Sequence, residues 1–155
     1  MEKIIKDIQK IVEKFFQKAT FDVSYQVELD EDNIVKLALE MDEPQILIGE
    51  RGSTLAELQR LLGNIVRKQV GQPVLLDVDI NGYKQKRHEY LCNLANNIAD
   101  RVSLVKRPEA LFPMNSYERR LVHTELANRA DIKTESEGEG EERRILIKPA
   151  QNVAY

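Results

Sequence analysis

Between residues 2 and 18, Ile4, Ile5, Ile8, Ile11, Val12, Phe15 and Phe16 recur at steps of three and four. This spacing predicts an amphipathic helix, with Lys3, Lys6, Lys10, Lys14 and Lys18 mostly off the apolar stripe. Such a basic helix also suits a membrane surface, but Glu2, Asp7 and Glu13 dilute its charge and favour packing on a sheet. The period then changes to two. Phe21, Val23, Tyr25, Val27 and Leu29, then Val35, Leu37 and Leu39, alternate with polar residues and predict strands over 21–29 and 33–41. The acidic turn Asp30-Glu31-Asp32-Asn33 joins them as a hairpin. Pro44 opens a short helical turn over 44–48, and Gly49–Gly52 forms a loop. The next helix runs to about Val70, with Ser53 or Thr54 as its cap, Glu57 at capping-box distance from Thr54, and Gly71 and Pro73 at its end. Leu76, Val78 and Ile80 mark one face of a strand over 74–80, with Asp77 and Asp79 facing solvent.

A long helix is predicted over 83–106, and Pro108 marks its end. Asn115 caps a helix to about Arg129, with Glu118 completing a capping box. Two final strands, "IKTES" and "RRILIKP", flank the loop Glu137–Glu141. Residues 1–80 therefore read as one module and 109–155 as a second, with 81–108 as a linking helix. The expected class is α+β.

The chain has 155 residues, 42% hydrophobic and 32% charged, enough to bury a core. No apolar run approaches the ~20 residues of a membrane span, and the first residues lack a signal-peptide core. Cys92 is the only cysteine, which excludes an intrachain disulfide and fits a reducing cytoplasm, the expected location. The net charge of −3 argues against a nucleic-acid partner until it is divided by region. Residues 46–107 carry 10 basic and 6 acidic side chains, whereas 1–45 carry 6 and 11, and 108–155 carry 7 and 9. A basic middle presents a local positive surface, because screening confines charge effects to about 8–10 Å.

The loop Gly49-Glu50-Arg51-Gly52 is not a phosphate-binding Walker loop, which needs four residues between its glycines and then Lys-Ser/Thr. It also lacks the third glycine of a dinucleotide fingerprint. Its setting, short apolar helix then G-x-x-G then helix then strand, is the KH arrangement, which clamps about four nucleotides of a single strand. The helix starting at Ser53 aims free N–H groups and its positive dipole end at phosphates. The plain alternative is a helix–turn–helix corner. Ile46, Leu47 and Ile48 line either a base groove or the core beneath it. In "NSYERRLVH", Arg119 and His123 stand at i and i+4 on one helix face and together suit a phosphate, with Arg120 nearby. A structural pair beside the core is the plain alternative there too. Lys84, Lys86 and Arg87 make the start of the long helix basic; they serve either as phosphate contacts or as a solvated face. No catalytic constellation, metal-ligand set or cofactor motif stands out.

These motifs carry a resemblance. "ILIGERGSTLAELQRLLGNIV", "DINGYKQKRHEYL" and "FPMNSYERRLVHTELANRADIKTESEGEGEERRILIKP" are similar to the bacterial Jag family, also called KhpB or SpoIIIJ-associated. In that family a KH domain precedes a small domain named for its Arg-x-x-x-His motif, written here as R-three-H. The resemblance covers about residues 30 to 149. It implies a type II KH domain, a three-stranded sheet with helices on one face, joined by a long helix to an R-three-H α/β domain. It implies single-stranded RNA binding without catalysis, in an RNA chaperone or post-transcriptional regulator linked to the cell envelope and elongation. A second small KH protein is an implied partner. Many relatives carry an extra N-terminal Jag domain where this sequence has only the helix 2–18. The expected contacts are Ile48, Gly49, Glu50, Arg51, Gly52, Ser53, Lys84, Arg87, Arg119, Arg120 and His123. Glu50 departs from a basic loop and implies modest affinity there, with the second module adding avidity. Single-stranded DNA binding and a protein-interaction scaffold are the competing readings.

Overall fold

The computed structural model describes residues 2–150. The chain is α+β and divides into two compact units, one ending at Lys84 and one starting at Gln85.

In the first unit the stripe read from the sequence becomes α1, Glu2–Ala19. Strands β1 (Ser24–Leu29) and β2 (Ile34–Glu40) pair antiparallel, and β3 (Leu75–Ile80) adds parallel to β2. The hairpin closes as expected: Asp30 Oδ1 accepts from the N–H groups of Asp32 and Ile34 at 3.0 and 2.9 Å. β2 buries Val35, Leu37 and Leu39 while Lys36, Ala38 and Glu40 are exposed, so one sheet face is covered. Its cover is α1, through Ile8, Val12 and Phe16, and α3 (Ser53–Val70), through Leu55, Leu58, Leu62 and Val66. A parallel β2–β3 pair needs a crossover, and the segment 41–74 supplies it with the short helix α2 (Gln45–Ile48) and α3. Asn81 secures the exit from the sheet. Its side chain accepts from Met41 N–H at 3.0 Å and donates to Met41 C=O at 2.9 Å.

In the second unit β4 (Glu109–Ala110), β6 (Arg144–Pro149) and β5 (Ile132–Glu137) form a sheet in the order β4-β6-β5, all neighbours antiparallel. Helix α5 (Ser116–Leu126) packs Val122 and Leu126 on it. The sequence set 81–108 apart as a linker. The structure instead places Ala95, Ile98, Ala99 and Val102 of α4 (Tyr83–Val105) in the same core as Ile132, Ile145 and Ile147. The physical reason is size: an 11-residue helix on three short strands leaves an apolar sheet face that a longer helix must cover. Among the described residues no helix is long and apolar enough to cross a membrane.

Candidate nucleic-acid interface

The Gly49–Gly52 loop starts where α2 stops. Gly49 has φ +73° and its N–H bonds to Gln45 C=O at 3.0 Å. A Cβ there would sit 2.1 Å from Thr54 Oγ1; at Gly52 (φ +79°) it would sit 2.9 Å from the Tyr83 ring. Both glycines are therefore required by the loop's own packing, before any ligand is considered. Arg51 also adopts a left-handed conformation, φ 54° and ψ 26°, uncommon for a residue with a Cβ. Its guanidinium lies 3.8 Å from the Glu50 carboxylate, and both side chains are exposed. Glu50 thus partly neutralises the one cation of its loop.

The cap expected at Ser53 or Thr54 is absent. Gly52 occupies the N-cap position with no side-chain acceptor, and Glu57 pairs with Arg60 at 2.5 Å instead of closing a capping box. Thr54 cannot serve as the cap because it begins inside the helix and its hydroxyl lies over Gly49. The apolar triplet also divides. Leu47 and Ile48 are buried in the core, so Ile48 is not a surface contact, while Ile46 is 54% exposed. Beside it, Leu47, Leu58 and Leu61 floor an open groove of about 640 Å³ edged by Thr54, Glu57, Arg60 and Asn64.

Two basic residues expected as contacts hold protein partners. Lys84 bridges the Asp77 carboxylate and the Gln59 side chain, while Asp79 accepts from the Lys84 N–H. The two aspartates expected merely to face solvent therefore anchor the start of α4. Arg87 is not on a solvated face. Its Nε donates at 2.8 Å to Glu118, which is only 4% exposed, and its guanidinium lies against the Tyr90 and Phe112 rings. The expected capping box at α5 is correspondingly half made. Asn115 accepts from the Glu118 N–H at 2.9 Å, while the Glu118 carboxylate is taken by Arg87.

Arg119 and His123 share one face of α5 as the spacing required. Arg119 donates to Met114 C=O at 2.7 Å and to Ser116 Oγ at 3.0 Å. His123 Nδ1 meets Thr134 Oγ1 of β5 at 2.7 Å, which turns Nε2 away from that bond. Burial, and then the Arg119 charge, push the His123 pKa below its ordinary value. Arg120 is exposed, about 100° round the helix from Arg119. Sequence reasoning missed Thr134 and the neighbouring Ser136, which accepts from Arg143 Nε at 2.9 Å. No spacing rule links them to α5; they meet it only through the fold. Among the described residues no group of three or more His, Cys, Asp or Glu side chains could hold a metal ion.

Residues 89–149 match the family model of the R-three-H domain, a span that opens inside α4 and takes in α5 and all three strands. The RNA-binding protein KhpB of Clostridium symbiosum is 37% identical over 139 residues, 89% of this chain and 63% of that protein. Its counterpart in Bacillus subtilis is 36% identical over 142 residues, 90% of this chain and 66% of that protein. The comparisons support the KhpB family. A Streptococcus pneumoniae KhpB is more distant, 25% identical over 140 residues and matched over 41% of its length. The chain thus spans less than two thirds of the KhpB relatives it matches.

Proposed function

We propose that this chain binds single-stranded RNA without catalysing a reaction, through a KH-type first unit and an R-three-H second unit. The observation that carries the reading is the state of Arg119. Its guanidinium rests on a carbonyl and a hydroxyl instead of a carboxylate, beside a histidine whose Nε2 is turned away from the protein contact. A cation left uncompensated next to a second N–H donor suits a phosphodiester. The names of the KhpB relatives agree with RNA as the polymer.

In the first unit the order α-β-β-α-α-β, with parallel β2–β3 and antiparallel β1–β2, supports a type II KH domain. There the left-handed Gly49–Gly52 loop clamps a sugar-phosphate backbone, Arg51 and the Ser53 end of α3 meet phosphates, and the Leu47–Leu61 groove offers an apolar floor for bases. The reading extends to a regulatory role linked to the cell envelope, and to a second small KH protein as partner, on the family resemblance.

The test is anisotropy with a labelled oligouridylate, competed by the matched deoxy strand, since the 2′-OH is the chief difference. Arg119→Ala with His123→Ala is expected to weaken RNA binding about tenfold or more. Unchanged binding by that pair, or preference for the deoxy strand, contradicts the proposal.

A further inference from the structure

The contacts around Arg119 and His123 close a ring. Arg119 donates to Met114 C=O; Met114 N–H donates to Arg143 C=O at 3.1 Å; Arg143 Nε donates to Ser136 Oγ. Ser136 lies two residues from Thr134 on one face of β5, and Thr134 holds His123, one turn along α5 from Arg119. Three basic side chains and two hydroxyls therefore border one patch of the second unit.

The charges around it differ by position, and the exposed Glu139, Glu141 and Glu142 stand in the loop just before Arg143. Glu135 and Glu137 project from the other face of β5, where they pair with Lys148 and Arg144 across the β5–β6 ladder. Arg101 and Arg129 also hold carboxylates. Arg143, next to Arg144 in sequence, departs from this pattern. Its side chain is exposed, and among the described residues its partner is the neutral Ser136 hydroxyl. That bond occupies Nε and orients the guanidinium, leaving the Nη donors for an acceptor outside the protein.

We infer that Arg143, oriented by Ser136, is a third phosphate-binding residue beside Arg119 and His123, contacting a phosphodiester of the bound single-stranded RNA. The inference rests on the RNA-binding reading of the Arg119–His123 face. Two forked guanidiniums and an imidazole on one patch can hold two successive phosphates, or two oxygens of one, which the Arg119–His123 pair does less firmly alone.

The experiment measures oligouridylate affinity of the full chain from about 50 to about 200 mM salt. Each phosphate contact on a single strand contributes about 0.7 to the slope of log K against log salt. Arg143→Ala is expected to weaken binding about tenfold and flatten the slope by about 0.7. Arg143→Lys keeps the charge and is expected to hold the wild-type slope. Arg144→Ala, whose parent side chain pairs with Glu137, is expected to leave the slope unchanged. Thermal melts of each variant exclude loss of fold as the cause. A wild-type slope in Arg143→Ala, while Arg119→Ala flattens it, overturns the role of Arg143 alone. An equal loss in Arg144→Ala also overturns it, because bulk charge would then suffice. No salt-dependent binding by the unmodified chain overturns the RNA-binding reading and this inference with it.

Discussion

At His123 one bond decides how the ring can serve a ligand. In the tautomer whose Nδ1 accepts the Thr134 hydroxyl proton, neutral His123 keeps an Nε2–H and donates without first being charged. A bound phosphate stabilises the imidazolium and raises its pKa above that of the free protein, which burial and Arg119 depress. Affinity therefore rises as pH falls through the bound-state pKa and levels off below the free-state pKa. Because the free value lies below the usual 6.5, the rise continues beneath pH 6.5. Anisotropy across about pH 7.5 to about 5 checks this against His123→Gln, which is expected to respond less. Thr134→Val removes the bond with little change of shape. It is expected to cost about 1 kcal/mol of stability and to shift the His123 tautomer seen in ring-nitrogen chemical shifts. An unchanged tautomer population contradicts the assigned role. The glycine loop gives the opposite lesson. Gly49→Ala meets both a positive φ and the Thr54 side chain, so a loss of roughly 2 kcal/mol or more in urea unfolding is expected with no RNA present. Glycine replacement therefore reports on the loop's folding as well as on RNA, and Arg51→Ala is the cleaner probe of contact.

Among the elements, the periodic ones were legible and the capped ones less so. The 3.6-residue stripe of α1 and the alternation of β2 are local patterns, and both elements lie within a few residues of the expected bounds. The start of α3 was misread because capping residues at Ser53 and Thr54 say nothing about the left-handed Gly52 that precedes them. Arg87 was misread for a related reason: helical spacing shows that a side chain is near others in its column, not that another helix brings Glu118 to it. The Arg87–Glu118 pair is largely out of water, with side chains 18% and 6% exposed. Arg87→Ala strands a buried carboxylate and is expected to cost about 3 kcal/mol by urea unfolding while leaving the salt slope of RNA binding intact. Arg87→Met with Glu118→Leu is expected to recover much of that loss. A flatter slope in Arg87→Ala, with stability unchanged, would restore Arg87 as a phosphate contact.

For the whole molecule, the net charge of −3 is a poor guide, because several of its acids are matched locally to particular cations while other cations, among the described residues, are not. Asp77 holds Lys84, Glu109 holds Arg101, and Asp100 and Asp131 hold Arg129. The sequence showed two modules and both motifs in order. It could not show which cations remain uncompensated, because pairing across strands and helices is a tertiary property. Arg119 stands in a sequence motif, whereas the proposed role of Arg143 rests on a contact that only the fold supplies. The division at Lys84–Gln85 also assigns most of α4 to the second unit, so a fragment starting at 109 would lose Ala95, Ile98 and Val102 from its core. The central claim is that uncompensated cations bind a single strand through its phosphates, and the slope of log K against log salt for oligouridylate tests it most directly. The account predicts a linear decline with a slope near −2 or steeper, equivalent to about three phosphate contacts. Binding that does not change with salt, or no binding at low salt, contradicts it.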